Sequence, residues 1–374
     1  MPKTRLLYLD NIRSLVIFLV ITMHSAVTYS GFGSWYYIEG SPENLPLFEM
    51  VVFGFLQSFL QAWFMGILFF ISAFFTARSL AKYGSKTLIK ERLFRLGLPV
   101  LLFMLIVDPF ISRLVLHQYS GNSIFHDYSN YLLSLDWLSS SGPLWFAEAL
   151  LIFCIIYIIA RKLIPKQKVI IEIKTKHIIT AIIVTGITAF LIRLIFPIGT
   201  AFFNLQFSYF ASYIMLFISG IIAGENNLLD LIAAKKNIKW IKLSLIIGIP
   251  FWCIIMLLGG VLDGNFFING GFYWQSFAYA FWESFIAIGF SIGLLAFSRE
   301  KVNISNNFSA LLAENAFAIY FFHAPILTAI SVLFKNWVTD PMFKFVAITL
   351  CAFIFSFGFS FIVRKIKPLG ILFK

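Results

Sequence analysis

Residues 12–27 read IRSLVIFLVITMHSAV, and this stretch decides the fold class. The predicted apolar run covers residues 12–30, and its length is close to the roughly 20 residues that a helix needs to cross a bilayer. A helix pairs its own backbone groups, as a segment in hydrocarbon must. The stretch has no small-x-small cleavage site and leads into further apolar runs, so we interpret it as a retained span and not as a cleaved signal.

The composition extends this interpretation to the whole chain. Of the 374 residues, 60% are hydrophobic and only 12% are charged, whereas a soluble domain carries about 25% charged residues. The sequence therefore predicts an all-α, polytopic integral membrane helix bundle, with a single domain over residues 1–374. About ten transmembrane helices are expected, at 12–30, 48–76, 96–115, 143–160, 177–197, 206–223, 241–261, 273–297, 309–334 and 342–363.

The positions of the basic residues predict the topology. If the amino terminus, with Lys3 and Arg5, is cytoplasmic, then 24 of the 29 Lys and Arg residues fall on the cytoplasmic side. An even number of spans with both termini inside satisfies this rule. The formal net charge of +12 lies in the gaps between apolar runs, which indicates topology signals and anionic-lipid contacts, not a nucleic-acid surface. We expect a multi-pass protein of the cell membrane, the inner membrane if the source is bacterial.

The cysteines indicate neither a disulfide framework nor a metal centre. Cys154, Cys253 and Cys351 all lie inside apolar runs, where cysteine behaves as a small buried hydrophobic residue. We therefore expect no metal.

Two ionisable residues share the first span. Arg13 and His24 are eleven residues apart, which is close to three full helical turns, so both side chains lie on one helix face. Asp10 precedes Arg13 by three residues and is placed to pair with it. A guanidinium at the cytoplasmic mouth suits a phosphorylated donor, and an imidazole deeper in the span suits proton abstraction. The alternative is that Arg13 reaches to the interface and His24 bonds a neighbouring helix.

Arg92 and Arg95 form a second pair, at the cytoplasmic entry of the third predicted span. Their spacing of three places both on one face of an α-helix, where two guanidiniums can hold a nucleotide phosphate or pyrophosphate. Positive-inside anchoring explains the same residues equally well on spacing alone.

Two further stretches carry polar residues into predicted spans. Gly142-Pro143 predicts a turn before the fourth span, and Glu148 follows about one helical turn inward. Tyr320 and His323 share a helix face in the ninth span, just before Pro325. Glu148 is a candidate for orienting His24 or an acceptor hydroxyl, and His323 is a candidate catalytic group. Structural roles for both residues remain open.

The outer loops at 30–47 and 116–142 are rich in Tyr, Trp, Gly, Ser, Asn and Asp. Tyr and Trp favour the membrane interface, which is the simpler interpretation. The same aromatic faces also suit stacking on sugar rings.

Taken in their order along the chain, these motifs resemble those of the acyltransferase-3 family of membrane acyltransferases. The opening helix matches through residues 8–13 (YLDNIR) followed by ten residues and His24, and residues 69–75 (FFISAFF) resemble a second family stretch. Arg92 and Arg95 before residues 97–99 (GLP) follow in the family's order. So do residues 143–146 (PLWF) and residues 320–325 (YFFHAP). The opening helix and the PLWF stretch are most similar to the branch with glucan-modifying succinyltransferases.

The resemblance implies about ten helices, an acyl-CoA donor on the cytoplasmic side, and transfer to a hydroxyl that is commonly on a glycan. Arg13 and His24 are then the essential pair of the first helix, and Arg92 and Arg95 bind the donor. Ala73 replaces the family's usual glycine, and residues 57–65 (QSFLQAWFM) depart from its usual second-span pattern. We also expect no appended esterase-like domain, since no Gly-Asp-Ser motif occurs.

The leading hypothesis is an O-acyltransferase, an enzyme that transfers groups other than aminoacyl groups. Acyl-CoA is then the donor substrate, His24 is the general base, and Asp10, Arg13, Glu148 and His323 complete the catalytic set. A transporter that uses the same intramembrane groups is the second hypothesis. A non-catalytic scaffold is the third, and it leaves the register of Arg13 and His24 without a role.

Overall fold

The computed structural model describes residues 6–116, 123–164, 173–367 and 369–373, and within these ranges the protein is all-α, with no β-strand. Its α-helices are α1 (Leu7–Ser30), α2 (Leu47–Arg92), α3 (Leu98–Leu102), α4 (Ile124–Leu133), α5 (Trp145–Leu163), α6 (Thr175–Arg193), α7 (Phe210–Asn226), α8 (Leu229–Ile232), α9 (Lys239–Leu258), α10 (Trp274–Phe285), α11 (Ser291–Lys301), α12 (Asn307–Leu333), α13 (Pro341–Lys365) and α14 (Leu369–Leu372). Short 3₁₀ and π segments join several of them.

Nine helical segments in the described ranges are long and apolar enough to cross a membrane. All ten predicted runs overlap these segments, with up to four residues of a run beyond the end of its segment, and the segment from Leu47 to Arg113 accounts for two of them. Its 67 residues would extend about 100 Å at 1.5 Å per residue, more than three times the hydrocarbon thickness of about 30 Å. The helix is broken inside at Gly84, whose φ of 76° and ψ of 169° are not helical. The predicted all-α polytopic class is confirmed.

The orientation in the membrane stays a prediction. Several of the basic residues that predict it lie outside the described residues: Lys3, Arg5, Lys166, Lys168 and Lys374. Part of the second outer loop, residues 117–122, lies outside them as well.

The described residues cluster into two compact units, each assembled from separate parts of the sequence. The first unit draws its described residues from 1–13, 58–89 and 153–306, and the second draws its own from 14–57, 90–152 and 307–374. The boundary at residues 13 and 14 falls within α1. The prediction of a single domain over residues 1–374 stays a prediction.

In the first unit, α7 and α2 approach each other backbone to backbone. A Cβ atom on Gly220 would lie 2.3 Å from the carbonyl oxygen of Phe70, and one on Gly224 would lie 2.5 Å from that of Phe74. Ala73, the residue that replaces the family's usual glycine, is fully buried against Gly220. Small residues are what permit such an approach in a membrane helix pair.

The first unit also buries an ion pair. Arg193, the last residue of α6, donates through Nη2 to Oε2 of Glu283 in α10, and the two side chains are 0% and 3% exposed. Nε of Arg193 donates to the carbonyl oxygen of Ser208 at 3.2 Å. The guanidinium also lies over the rings of Tyr209 and Tyr279, at 5.6 and 5.5 Å from their centroids. This pair joins α6 to α10 where the two helices pack together.

In the second unit, π-helical segments at Phe103–Val107 and Phe110–Val115 continue from α3. They hold α4, which lies in the stretch predicted to be an outer loop. Tyr131 donates its hydroxyl to the Met104 carbonyl oxygen at 2.6 Å, and Tyr128 donates to that of Leu105 at 2.9 Å. A salt bridge of 2.8 Å between Arg113 and Asp127 adds a third tie. These two loop tyrosines therefore have a structural role, because their hydroxyls bind backbone carbonyl groups of the π-helical segment.

Candidate active site

His24 lies in α1 with the indole of Trp35 stacked on one face of its imidazole. The ring centroids are 3.7 Å apart and the planes differ by 17°. This separation is close to van der Waals contact between carbon atoms, so the indole lies almost directly over the imidazole. Trp35 belongs to the loop that follows α1. The aromatic composition of this loop is visible in the sequence, but Trp35 was not predicted as a site residue.

His323 lies beside the same imidazole, in α12. Its ring centroid is 5.4 Å from that of His24, and the planes differ by 22°. The Trp35–His323 centroid distance is 6.1 Å, far less than it would be if the indole and His323 lay on opposite sides of His24. The three distances place the directions from His24 to the two rings nearly at a right angle. The two imidazoles therefore lie edge to edge, and the indole covers a face of His24.

The tautomer of His323 follows from its hydrogen bond. Nδ1 lies 2.6 Å from the Tyr320 carbonyl oxygen, which only accepts, so Nδ1 carries the proton. Nε2 of the neutral ring is then an acceptor. It is fully buried, and within the described ranges it has no hydrogen-bond partner. A backbone-anchored imidazole with an available Nε2 lone pair is a typical arrangement for a proton-accepting histidine.

Tyr320 fixes α12 against the turn before α5. Its hydroxyl donates to the carbonyl oxygen of Pro143, and the predicted Gly-Pro turn forms a 3₁₀ helix over Gly142–Leu144. Gly142 has a φ of 50°, and a Cβ atom there would lie 2.6 Å from the Phe103 ring. Glycine is required at this position for both reasons. The turn thus holds the segment that carries Tyr320 and His323.

Glu148 lies in the first turn of α5. The Ser141 hydroxyl is hydrogen-bonded to its side chain. The other carboxylate oxygen, Oε2, is buried, and it has no partner in the described part of the chain. Among the described residues, no hydrogen bond joins Glu148 to His24 or His323, so its predicted role in orienting His24 stays a prediction.

The predicted arginines occupy more exposed positions. Nη1 of Arg13 pairs with Oδ1 of Asp10 at 3.0 Å, as the spacing predicts, and the Arg13 side chain is 47% exposed. Arg13 also lies over the ring of Phe75, 5.9 Å from its centroid. Asp10, Arg13 and Phe75 belong to the first unit, whereas His24 belongs to the second.

Arg92 ends α2, and Arg95 lies within a π-helical segment at Leu93–Gly97. Arg92 is half-buried and Arg95 is exposed. Arg95 forms a salt bridge with Glu91 at 3.4 Å. Their role in donor binding stays a prediction. π-Helical turns inside α-helices are frequent at functional sites, which is consistent with such a role.

The loop that carries Trp35 is fixed by two polar contacts that were not predicted from the sequence. Tyr36 donates its hydroxyl to Oδ1 of Asp108 at 2.6 Å, and the buried Lys344 pairs with Glu39. Burial and the neighbouring Asp108 carboxylate raise the pKa of Tyr36 well above its ordinary value of 10.0. Tyr36 therefore remains a protonated donor at neutral pH. The aromatic composition of residues 30–47 was the signal available for finding this loop.

No group of three His, Cys, Asp or Glu side chains converges as metal ligands within the described ranges. The expectation of a metal-free protein stays a prediction.

Fold and site together define a polytopic membrane protein with two adjacent imidazoles on membrane-spanning helices. The chain belongs to the acyltransferase-3 family: the family model, described as an acyltransferase domain, matches residues 6–365. It is therefore a membrane acyltransferase, and the family resemblance noted in the sequence is confirmed. No curated protein and no solved structure gives a significant match to the chain.

Proposed function

We propose that this protein is a membrane O-acyltransferase, which moves an acetyl, succinyl or similar group from cytoplasmic acyl-CoA to a hydroxyl of a glycan or another cell-envelope acceptor. The observation that carries the proposal is the pair of adjacent imidazoles, His24 and His323, on helices of a family that transfers acyl groups. An imidazole is neutral and basic near physiological pH, which suits the removal of a hydroxyl proton.

The proposed reaction is direct transfer. The acceptor oxygen attacks the thioester carbonyl carbon, a C–O bond forms, and the C–S bond to CoA breaks. His24 takes the proton that the hydroxyl loses, and this proton then passes to the CoA thiolate, so the protein returns to its starting state. No ion or redox partner is needed to balance the step.

His323 and Glu148 serve this step in different ways. Nε2 of His323 is an acceptor at the edge of His24. We propose that it receives an N–H of His24, which leaves the other ring nitrogen of His24 unprotonated toward the acceptor. This is the role that a carboxylate has in other base-activated sites. Glu148, through its carboxylate, binds the acceptor hydroxyl.

The arginines supply donor binding in this proposal. Arg92 and Arg95 bind the CoA phosphates. Arg13, held by Asp10, is a separate guanidinium that suits a phosphorylated donor. Guanidinium–phosphate hydrogen bonds are charge-assisted and geometrically specific. The exposure of Arg95 and of the Arg13 side chain supports contact with a soluble nucleotide. We propose the bacterial inner membrane as the location, because CoA is cytoplasmic and the acceptor belongs to the envelope.

The test is chemical analysis of envelope glycans from cells with and without the gene. We expect an ester-linked acyl group that disappears on deletion and returns with the wild-type gene but not with His24→Ala. His177→Ala is the matched control, since His177 is an exposed histidine of α6. Full restoration by His24→Ala would remove His24 from the mechanism.

A transporter is the second candidate, and the buried Arg193–Glu283 pair favours it, because ionic groups inside membrane helices often mark substrate paths. Flux of a solute across proteoliposomes without any consumption of acyl-CoA would support it. Acyl-CoA turnover that depends on an acceptor would exclude it as the main activity.

A further inference from the structure

The indole of Trp35 is the closest aromatic partner of His24, at 3.7 Å. The proposed hydrogen bond to His323 fixes the direction of one ring nitrogen of His24. Contact with the indole restricts the tilt of the imidazole plane. The indole lies on its face and His323 lies at its edge.

The loop that carries Trp35 is built to hold it in place. The backbone N–H groups of Glu39 and Gly40 both donate to the carbonyl oxygen of Thr28, at 2.9 and 3.0 Å. A Cβ atom on Gly40 would lie 1.9 Å from the Tyr29 carbonyl oxygen, so this approach requires glycine. These bonds fold the loop back onto the last turns of α1, which is the helix that carries His24.

Two side-chain ties complete the anchoring. Tyr36, the next residue after Trp35, donates to Asp108 at 2.6 Å. Glu39 pairs with Lys344, whose side chain is only 3% exposed. The loop is thus held after Trp35 by the backbone hydrogen bonds of Glu39 and Gly40 and by the Tyr36 hydroxyl. The indole therefore has little freedom to move away from the imidazole.

We propose that Trp35 is a positioning residue, whose indole holds the plane of the His24 imidazole and stabilises the imidazolium that forms when His24 takes the acceptor proton. An aromatic face attracts a cation placed over it, and indole does so more strongly than the rings of Tyr or Phe. The stabilisation is absent while His24 is neutral and appears as charge develops, so it acts on the transition state. The inference rests on the proposed function of His24.

The kinetic test separates the aromatic face from the bulk of the side chain. Trp35→Leu fills much of the space without a π face, and Trp35→Phe keeps a weaker face. We expect Trp35→Leu to lower kcat by about tenfold to thirtyfold, as removal of a desolvated cation–π contact predicts. We expect Trp35→Phe to remain within about threefold of wild type on the same basis. KM for acyl-CoA is expected to stay the same in both variants.

Trp274→Leu is the matched control, because Trp274 is an exposed tryptophan at the start of α10. It should leave kcat unchanged. If Trp35→Leu and Trp35→Phe lose the same activity, or if neither loses any, the π face has no role and the proposal is overturned.

A second measurement does not depend on turnover. Diethyl pyrocarbonate modifies neutral imidazoles, and mass spectrometry of peptides gives the rate at each histidine. With the indole removed in Trp35→Ala, His24 should react several times faster, while exposed His126 reacts at an unchanged rate and confirms a folded protein. Equal rates at His24 in both proteins would show that the indole does not cover it. If His24 reacts faster in Trp35→Ala but no acyl transfer is found, the proposed function is refuted, whereas the stacking of Trp35 on His24 is confirmed.

Discussion

Replacement of Glu283 by Leu should destabilise the protein severely, because it leaves Arg193 charged inside the first unit. The Arg193 side chain is 0% exposed. Among the described residues its carboxylate partner is Glu283, and after the replacement its remaining contacts there are the Ser208 carbonyl oxygen and the faces of Tyr209 and Tyr279. Breaking a buried ion pair from one side costs about 3–5 kcal/mol. The contacts with the two tyrosine faces are present in both proteins, so they do not reduce this difference.

We therefore expect a loss of about 3–5 kcal/mol, which is at least about a hundredfold in the folding equilibrium. Removal of both charges in the double variant Arg193→Met with Glu283→Leu should recover most of this loss, since an apolar pair of similar volume is often as stable as a buried ion pair. The single variant Arg193→Met should lose a similar amount of stability to Glu283→Leu, because it leaves the Glu283 carboxylate buried without its guanidinium partner.

The assay is reversible unfolding in mixed micelles by titration with dodecyl sulfate, followed by circular dichroism for all four proteins as a double-mutant cycle. Arg299→Ala with Asp230→Ala is the control, because this pair is at the surface, with side chains 35% and 79% exposed. It should cost less than about 1 kcal/mol. A Glu283→Leu protein as stable as wild type, or a double variant no better than either single one, would refute the reasoning.

The other predictions concern the helix contact, the pH range and the donor. Gly220→Val should prevent stable folding, because its Cβ would lie 2.3 Å from the Phe70 carbonyl oxygen, whereas Gly358→Ala, with nothing within 4 Å of the new Cβ, should leave the melting temperature unchanged or raise it. The Tyr36–Asp108 bond should stabilise the protein at neutral pH. This contribution should be lost as the pH rises above 10 and through the raised folded-state pKa of Tyr36, so the unfolding free energies of wild type and Tyr36→Phe should converge there but stay apart between about pH 7 and about pH 9. Arg95→Ala should raise KM for acyl-CoA about tenfold with little change in kcat, as the loss of a charge-assisted phosphate contact predicts, and exposed Lys82→Ala should not.

The helical spans could be predicted from the sequence because each depends on local composition. Every predicted apolar run coincides with helix except for up to four residues at its ends, including the two that share the segment from Leu47 to Arg113. The basic stretch inside this segment was predicted to be a gap between spans. It is helical except at Gly84, since Lys and Arg are good helix formers and solvent exposure does not require a loop.

The contacts that build the candidate site could be predicted only in part. His24 and His323 stand out in the sequence as ionisable residues in apolar runs, but their edge-to-edge placement depends on how α1 and α12 pack. Trp35 carries no such signal. Its position over His24 follows from the path of a loop that turns back at Gly40, and a pattern of residue types does not encode that path.

The ion pair of the first unit shows the same limit. Arg193 and Glu283 are individually visible as charged residues within the predicted apolar runs 177–197 and 273–297. They are 90 residues apart in the chain. Their pairing comes from the packing of α6 against α10, which single-sequence reasoning does not reach.

The proposed mechanism requires an imidazole of α1 to take a hydroxyl proton during acyl transfer from CoA. This step is tested with purified protein in liposomes, with labelled acyl-CoA inside and a glycan acceptor outside, by counting the free CoA thiol released against the ester formed. We expect one ester per thiol for the wild type and for His177→Ala, and a loss of at least about a hundredfold for His24→Gln, in line with the contribution of a general base. Equal ester formation by wild type and His24→Gln would contradict the mechanism.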